Sequence, residues 1–218
     1  MRLIKHTEKR NLSLESFCRD GYINSTDDTW KKTDGKKVLY ILREENGSNA
    51  SECDRQGRVI VHRYEDISDF WMKDQLMKDF QHQPLLVKKI SRVQWALENN
   101  GKEGPCADEL NTIHREHMAF MNINKLGGTS SVHWATFNAY LNVFRSFIKR
   151  EIEILNPDII VCCGTCGSLE CDVYNKQSGI ILNGQAAPVI YDCPHPAAWK
   201  YTVEAYVKFI SKPASDEC

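Results

Sequence analysis

Two segments far apart in the chain end an apolar run in residues able to do chemistry. One is Lys37-Val-Leu-Tyr-Ile-Leu-Arg-Glu-Glu-Asn-Gly-Ser48, the other Val189-Ile-Tyr-Asp-Cys-Pro-His-Pro-Ala-Ala-Trp199. A carboxylate at Glu44 could orient water or stabilise developing positive charge, and an imidazole at His195 could donate or accept a proton near neutral pH. Glu44 and Glu45 are adjacent, so their side chains alternate in direction and one of them can face a crevice. Asn46-Gly47-Ser48 then allows a tight turn. Pro194 and Pro196 fix the backbone on either side of His195, which suits a rigidly presented imidazole. The ordinary alternatives are a solvated acidic turn and a turn histidine with no role. Trp199 fits either a core position or an exposed wedge.

Those residues need elements to position them. Residues 38–42 are continuously apolar and read as a buried strand. Residues 118–123, 159–163 and 189–192 read the same way. Between them, Phe137, Tyr140, Leu141, Phe144, Ile148, Ile152 and Leu155 recur at three- and four-residue spacing. This stripe predicts a helix over about 135–155, stopped by Asn156-Pro157-Asp158. A second helix is predicted from a Ser68 cap to Phe80, with Phe70, Trp71, Leu76, Met77 and Phe80 as its apolar set. A third is predicted over 199–210, with Val203, Tyr206, Val207 and Ile210 inward. Residues 1–35 are polar, with a short helical pattern near Ser13, and read as an extension. Strands alternating with helices give the expected fold: a single α/β domain over residues 1–218, a three-layer α/β/α sandwich with a central, mainly parallel four-stranded sheet. In such sheets the carboxyl ends of the strands converge on one crevice, where Glu44 and His195 could meet.

The totals narrow the function. The chain has 218 residues, 42% of them hydrophobic, enough for one sizeable core. A formal charge of −1 leaves no global footprint for nucleic acid, so such contacts would come from local clusters such as Lys31/Lys32/Lys36/Lys37, Lys88/Lys89 and Lys149/Arg150. The start lacks a secretory pattern and no run is long enough to span a bilayer, so a cytoplasmic protein without a membrane partner is expected. Its nine cysteines are then expected to be reduced.

Taken in order, four segments resemble the motifs of the uracil-DNA glycosylase superfamily. The first strand leads into Arg43-Glu44-Glu45-Asn46, where that family has Gly-Gln-Asp-Pro-Tyr or Gly-x-Asn-Pro-Gly. The last leads into His195-Pro196-Ala197-Ala198-Trp199, where it has His-Pro-Ser and an intercalating residue. Phe120-Met121-Asn122 is similar to its base-reading strand, and Pro157 to Gly164 to its third strand and glycine. The resemblance implies a monomeric DNA glycosylase that flips a pyrimidine out of the duplex and cuts its N-glycosidic bond. It implies Glu44 and His195 as catalytic residues, and Asn46, Asn122 and Phe70 (or Trp71) at the base. It places Gly128, Thr129, Ser130, Ala197 and Lys200 along the DNA, with Trp199 filling the vacated stack. Three departures stand out: Glu for the catalytic Asp or Asn, Glu45-Asn46 for Pro-Tyr, and Ala197 for serine. Replacing the aromatic gate by Asn46 points to a base with a polar C5 substituent, such as hydroxymethylated or glucosylated cytosine of phage DNA. A defence role would follow. Uracil repair, a nucleoside N-glycosidase or deoxyribosyltransferase, and a non-catalytic nucleic-acid-binding module are the alternatives.

Two further groupings call for no metal or cofactor. Cys163-x-x-Cys166 has ligand spacing, but Cys162 and Cys163 fall inside an apolar strand, where thiols pack as small hydrophobes. The His114-x-x-His117 pair beside Glu116 lacks the helical His-Glu-x-x-His spacing and reads as surface. Gly127-Gly128-Thr-Ser-Ser131 lacks the Gly-Lys-Ser/Thr ending of a phosphate-binding loop and reads as a flexible loop able to lie along a DNA backbone.

Overall fold

The structure is a computed structural model that describes residues 21–46, 52–53, 59–60, 71–102, 104–128, 134–174 and 187–211. The strands are β1 (Gly21–Tyr22), β2 (Val38–Asn46), β3 (Glu52–Cys53), β4 (Val59–Ile60), β5 (Met118–Gly128), β6 (Ile159–Cys163) and β7 (Val189–Cys193). The helices are α1 (Asp27–Lys32), α2 (Trp71–Leu76), α3 (Leu85–Glu98), α4 (Ala107–Asn111) and α5 (Trp134–Leu155). Strands β3 and β4 pair only with each other. The others form one sheet in the order β1-β5-β2-β6-β7.

This sheet corrects the expected four strands to five. β2 pairs in parallel with β5 and β6, and β6 with β7, but β1 runs antiparallel to β5. The sheet is therefore mixed. Two residues carry too little pattern to announce a strand, and both sit in the stretch read as an extension.

The two-residue alternation of β2 divides the core. Val38, Tyr40 and Leu42 join a cluster with α3 residues such as Val87, Ile90 and Val93. Leu39 and Ile41 join the opposite cluster with Phe137, Leu141, Ile148 and Ile152 of α5. Helices thus cover both faces, and residues 38–42 are each at most 6% exposed. Each such side chain stabilises the fold by about 1.5–3 kcal/mol relative to exposure.

α5 follows its predicted stripe and ends where predicted. Asn156 adopts φ +42°, and its N–H bonds to Ile152 O. Pro157 then prevents continuation. α1 belongs to the packed structure, because Trp30 is buried and its Nε1 donates to Leu155 O at 2.7 Å.

Two helix expectations need correction. Ser68 lies outside the described residues, and the helix there is α2 followed by a short 3₁₀ turn at Phe80–His82. The C-terminal segment is helical only as a 3₁₀ turn over Ala205–Ile210, although Val203, Tyr206, Val207 and Ile210 are buried. Thr202 Oγ1 accepts from Ala205 N–H, an N-cap-type bond that marks the start of this turn later than the expected residue 199. The pattern near Ser13 lies outside the described residues. Among the described residues no helix is long and apolar enough to cross a membrane.

Candidate active site

The carboxyl ends of β2, β5, β6 and β7 share one end of the sheet. β2 does not stop at Leu42; it continues through Arg43 and Glu44 to Asn46 along β5. Leu42 pairs with Asn122, Glu44 with Asn124, and Asn46 with Gly128, with a register shift between Glu44 and Asn46. Such a shift bends a strand locally and re-aims the residues beyond it. The segment read as a loop is thus strand up to Asn46, and Gly128 closes β5 rather than lying in a loop. The side chains of Glu44, Asn46 and Trp71 lie outside the described part of the structure, as do Phe70, Thr129 and Ser130. Asn122 is half-buried, while Asn124, next on the same side of β5, is 2% exposed.

His195 is held more firmly than its two prolines alone require. Gly164, just after β6, donates its N–H to Cys193 O at 2.6 Å. Its φ is +73°, and a Cβ there would stand 3.2 Å from His195 N, so glycine serves both the turn and the close approach. Thr165 Oγ1 donates to Ile41 O, tying this turn to β2. Tyr206 donates its hydroxyl to Pro194 O. Lys89 of α3, only 1% exposed, donates to Pro196 O at 2.9 Å and Ala198 O at 2.8 Å. A buried ammonium is tolerated when carbonyls accept its hydrogen bonds. These contacts pin both sides of the histidine.

The ring itself has a defined protonation. Ala197 N–H donates to His195 Nδ1 at 3.2 Å, so the neutral ring carries its proton on Nε2. Burial first, and then the charges of Arg43 and Lys89, depress the imidazole pKa to about 4. Near neutral pH His195 is therefore an uncharged hydrogen-bond donor rather than an imidazolium.

Arg43, Lys89 and Tyr206 were not anticipated. Arg43 precedes Glu44 in β2, and its guanidinium carbon lies 5.7 Å from the Trp134 ring centroid at the start of α5. Its Nε is buried without a hydrogen-bond partner among the described residues. A basic residue ending a buried strand was the available signal. Lys89 gave none, because its partners lie more than a hundred positions away. Trp199 resolves as exposed, at 92%, with Ala197 and Lys200 exposed beside it.

A cleft of about 390 Å³ adjoins the His195 turn, lined by Gly164, Cys166, Gly167, Cys193, Pro194 and Phe209, with Asp192 at its side. A larger hollow of about 720 Å³ lies at the opposite end of the sheet, against Trp30, Lys37 and Asp158. The carboxyl-end cleft is the better candidate, because Cys193 and Pro194 in its wall lead directly into the shifted histidine. The cysteine pair dissolves as a ligand set: Cys163 packs on the α3 side of the sheet and Cys166 on the α5 side. Burial also pushes the Cys163 thiol up to about 12, so it stays protonated.

The site defines a class no finer than an α/β protein with a neutral, clamped histidine at the carboxyl ends of its strands. Comparison of the chain with family models, curated proteins and solved structures finds no match.

Proposed function

We propose that this chain is a DNA glycosylase acting on a flipped-out pyrimidine with a polar C5 substituent, such as hydroxymethylated or glucosylated cytosine. The observation that carries the reading is the protonation geometry of His195. A clamped, neutral imidazole with its proton on Nε2 suits a leaving group that becomes an anion. In the proposed reaction the C1′–N bond breaks and its electron pair leaves with the base. His195 Nε2–H hydrogen-bonds the base oxygen as charge develops, and the nearby Arg43 cation favours the same anion. Glu44 orients a water that adds to C1′ and accepts a proton from it, as a carboxylate does in glycoside hydrolysis. That proton finally reaches the released base, leaving an abasic site. Asn122 reads the base edge, and exposed Trp199 supports the reading as a wedge for the vacated stack.

The test is glycosylase activity on matched oligonucleotides containing uracil, hydroxymethyluracil, hydroxymethylcytosine or glucosylated hydroxymethylcytosine, with alkaline cleavage revealing abasic sites. Cleavage confined to modified cytosines, lost in Glu44→Gln and His195→Ala, supports the proposal. Cleavage of uracil would make it a repair enzyme. Inactivity on every oligonucleotide, with activity on free nucleosides, would identify a nucleoside enzyme; inactivity on both leaves a binding module.

A further inference from the structure

We propose that His114, Glu116 and His117 form a binding site for a divalent transition-metal ion, zinc foremost, at the end of the sheet opposite the His195 crevice. The three residues belong to the 3₁₀ turn Arg115–His117 and its N-terminal flank, immediately before β5 begins at Met118. The sequence spacing looked like surface because the turn, not a helix, brings the side chains together. One ligand atom from each lies within 4.8 Å of the other two. Ligand atoms around tetrahedral zinc stand roughly 3.4 Å apart, so closing on an ion requires small side-chain rotations. Two imidazoles and a carboxylate leave a fourth position for water. Nitrogen donors favour zinc, cobalt, nickel and copper over magnesium and calcium.

The donors are held by contacts that do not depend on an ion. His117 N–H bonds to His114 O at 3.0 Å, closing the turn. Ser25 Oγ donates to Glu116 O at 2.6 Å, tying the turn to the β1–α1 connection. The His117 ring lies against Gly35, where an added Cβ would fall 2.0 Å from Cε1. The rings of His114 and His117 stack with centroids 4.9 Å apart and an angle of 21°. Behind them a polar chain runs from the sheet: Tyr40 hydroxyl to Gln94 Oε1, Gln94 Nε2 to Glu98 Oε1, and His114 N–H to the same carboxylate. Such outer contacts orient ligands and tune affinity.

The local charge also suits a cation. The carboxylates of Glu116, Glu98 and Asp34 all act on His114. Arg115, the cation of the turn, is directed elsewhere, to Leu76 O, Asn111 O and Ile113 O. His114 Nδ1 and Glu116 Oε1 already approach to 2.9 Å, a gap that a proton bridges and a metal ion can take over.

The experiment is titration of the chelator-stripped full chain with zinc by calorimetry and with cobalt by visible absorption. The expected result is one equivalent bound, a tetrahedral cobalt spectrum without a thiolate charge-transfer band, and affinity at least about tenfold weaker in His114→Ala and Glu116→Gln. The side chains of His114 and Glu116 are 57% and 45% exposed, so both replacements spare the packing. Circular dichroism of the stripped variants checks this. No zinc bound, unchanged affinity in the doubly substituted chain, or a thiolate band pointing to cysteines would overturn the site.

Discussion

At the residue scale, His195 makes the sharpest claim. Its pKa is about 4 in the folded chain against 6.5 for a free imidazole, chiefly through burial. The unfolded chain therefore takes up a proton that the folded chain refuses as pH falls from 6.5 toward 4. The contribution of His195 to stability is fully present above pH 6.5 and is lost across that window. Histidine ring resonances should show one midpoint near 4, and the wild type should lose more stability than His195→Gln between pH 7 and 4.5. A midpoint near 6.5 would remove the neutral donor from the proposed chemistry. Lys89 makes a second test. Lys89→Met keeps the bulk but strands the carbonyls of Pro196 and Ala198, which should cost about 2 kcal/mol in denaturant melts and slow turnover through a loosened His195. Unchanged stability would show that water replaces the ammonium. His195 was legible because two prolines frame it at a strand end. Lys89 was not, since nothing local distinguishes a lysine bound to distant carbonyls from its solvated neighbour Lys88.

At the element scale, what the sequence announces is burial, and what it hides is how an element is tied down. Strands β2, β5 and β6 were visible as apolar runs, and α5 as a stripe, because packing rather than local bonding decides them. β7 forms where its run predicts, but as the edge strand it is not the buried strand expected, with Val189 and Asp192 exposed and only Cys193 buried. α3 went unread: Leu86, Ile90, Val93 and Leu97 have helical spacing, but Lys89, Ser91 and Gln94 interrupt them and are buried as well. Their partners in Pro196, Gln83 and Tyr40 are tertiary. The C-terminal segment failed in the opposite way, its apolar pattern buried as expected while its backbone formed turns. Gly164 shows how such a tie can be tested. Gly164→Ala forces an L residue to φ +73° and sets a methyl 3.2 Å from His195 N. It should lower stability by about 1–2 kcal/mol. Turnover should fall further than that loss of stability explains, because the His195 backbone must shift. Full activity with an unmoved histidine resonance would mean that the turn tolerates the methyl group and does not set the ring.

At the scale of the whole molecule, a formal charge of −1 has to be reconciled with the polyanionic substrate that the proposed function requires. On the proposed function, net charge should supply little of the affinity, and Lys89, buried against carbonyls, is not available to a phosphate. Shape and stacking must carry the rest. The feature placed to do so is Trp199, an indole 92% exposed four residues beyond the histidine. Exposure of that size costs folding nothing when the ring is removed, so Trp199→Ala should melt like the wild type. If the ring is a wedge, the variant should bind a duplex carrying the target base at least about tenfold more weakly, given the ~1–3 kcal/mol that base–aromatic stacking contributes. It should keep nearly normal affinity for a substrate whose target base is already unpaired, because no hole then needs filling. Salt separates this from ordinary electrostatic binding. With two or three phosphates neutralised, log K should fall against log salt with a slope of about −2 to −3, the same in wild type and variant. A slope steeper than about −6 would show a cationic surface doing the binding. Equal duplex affinity in the two proteins would leave Trp199 exposed for another reason, and with it the strongest link between this face and DNA would be gone.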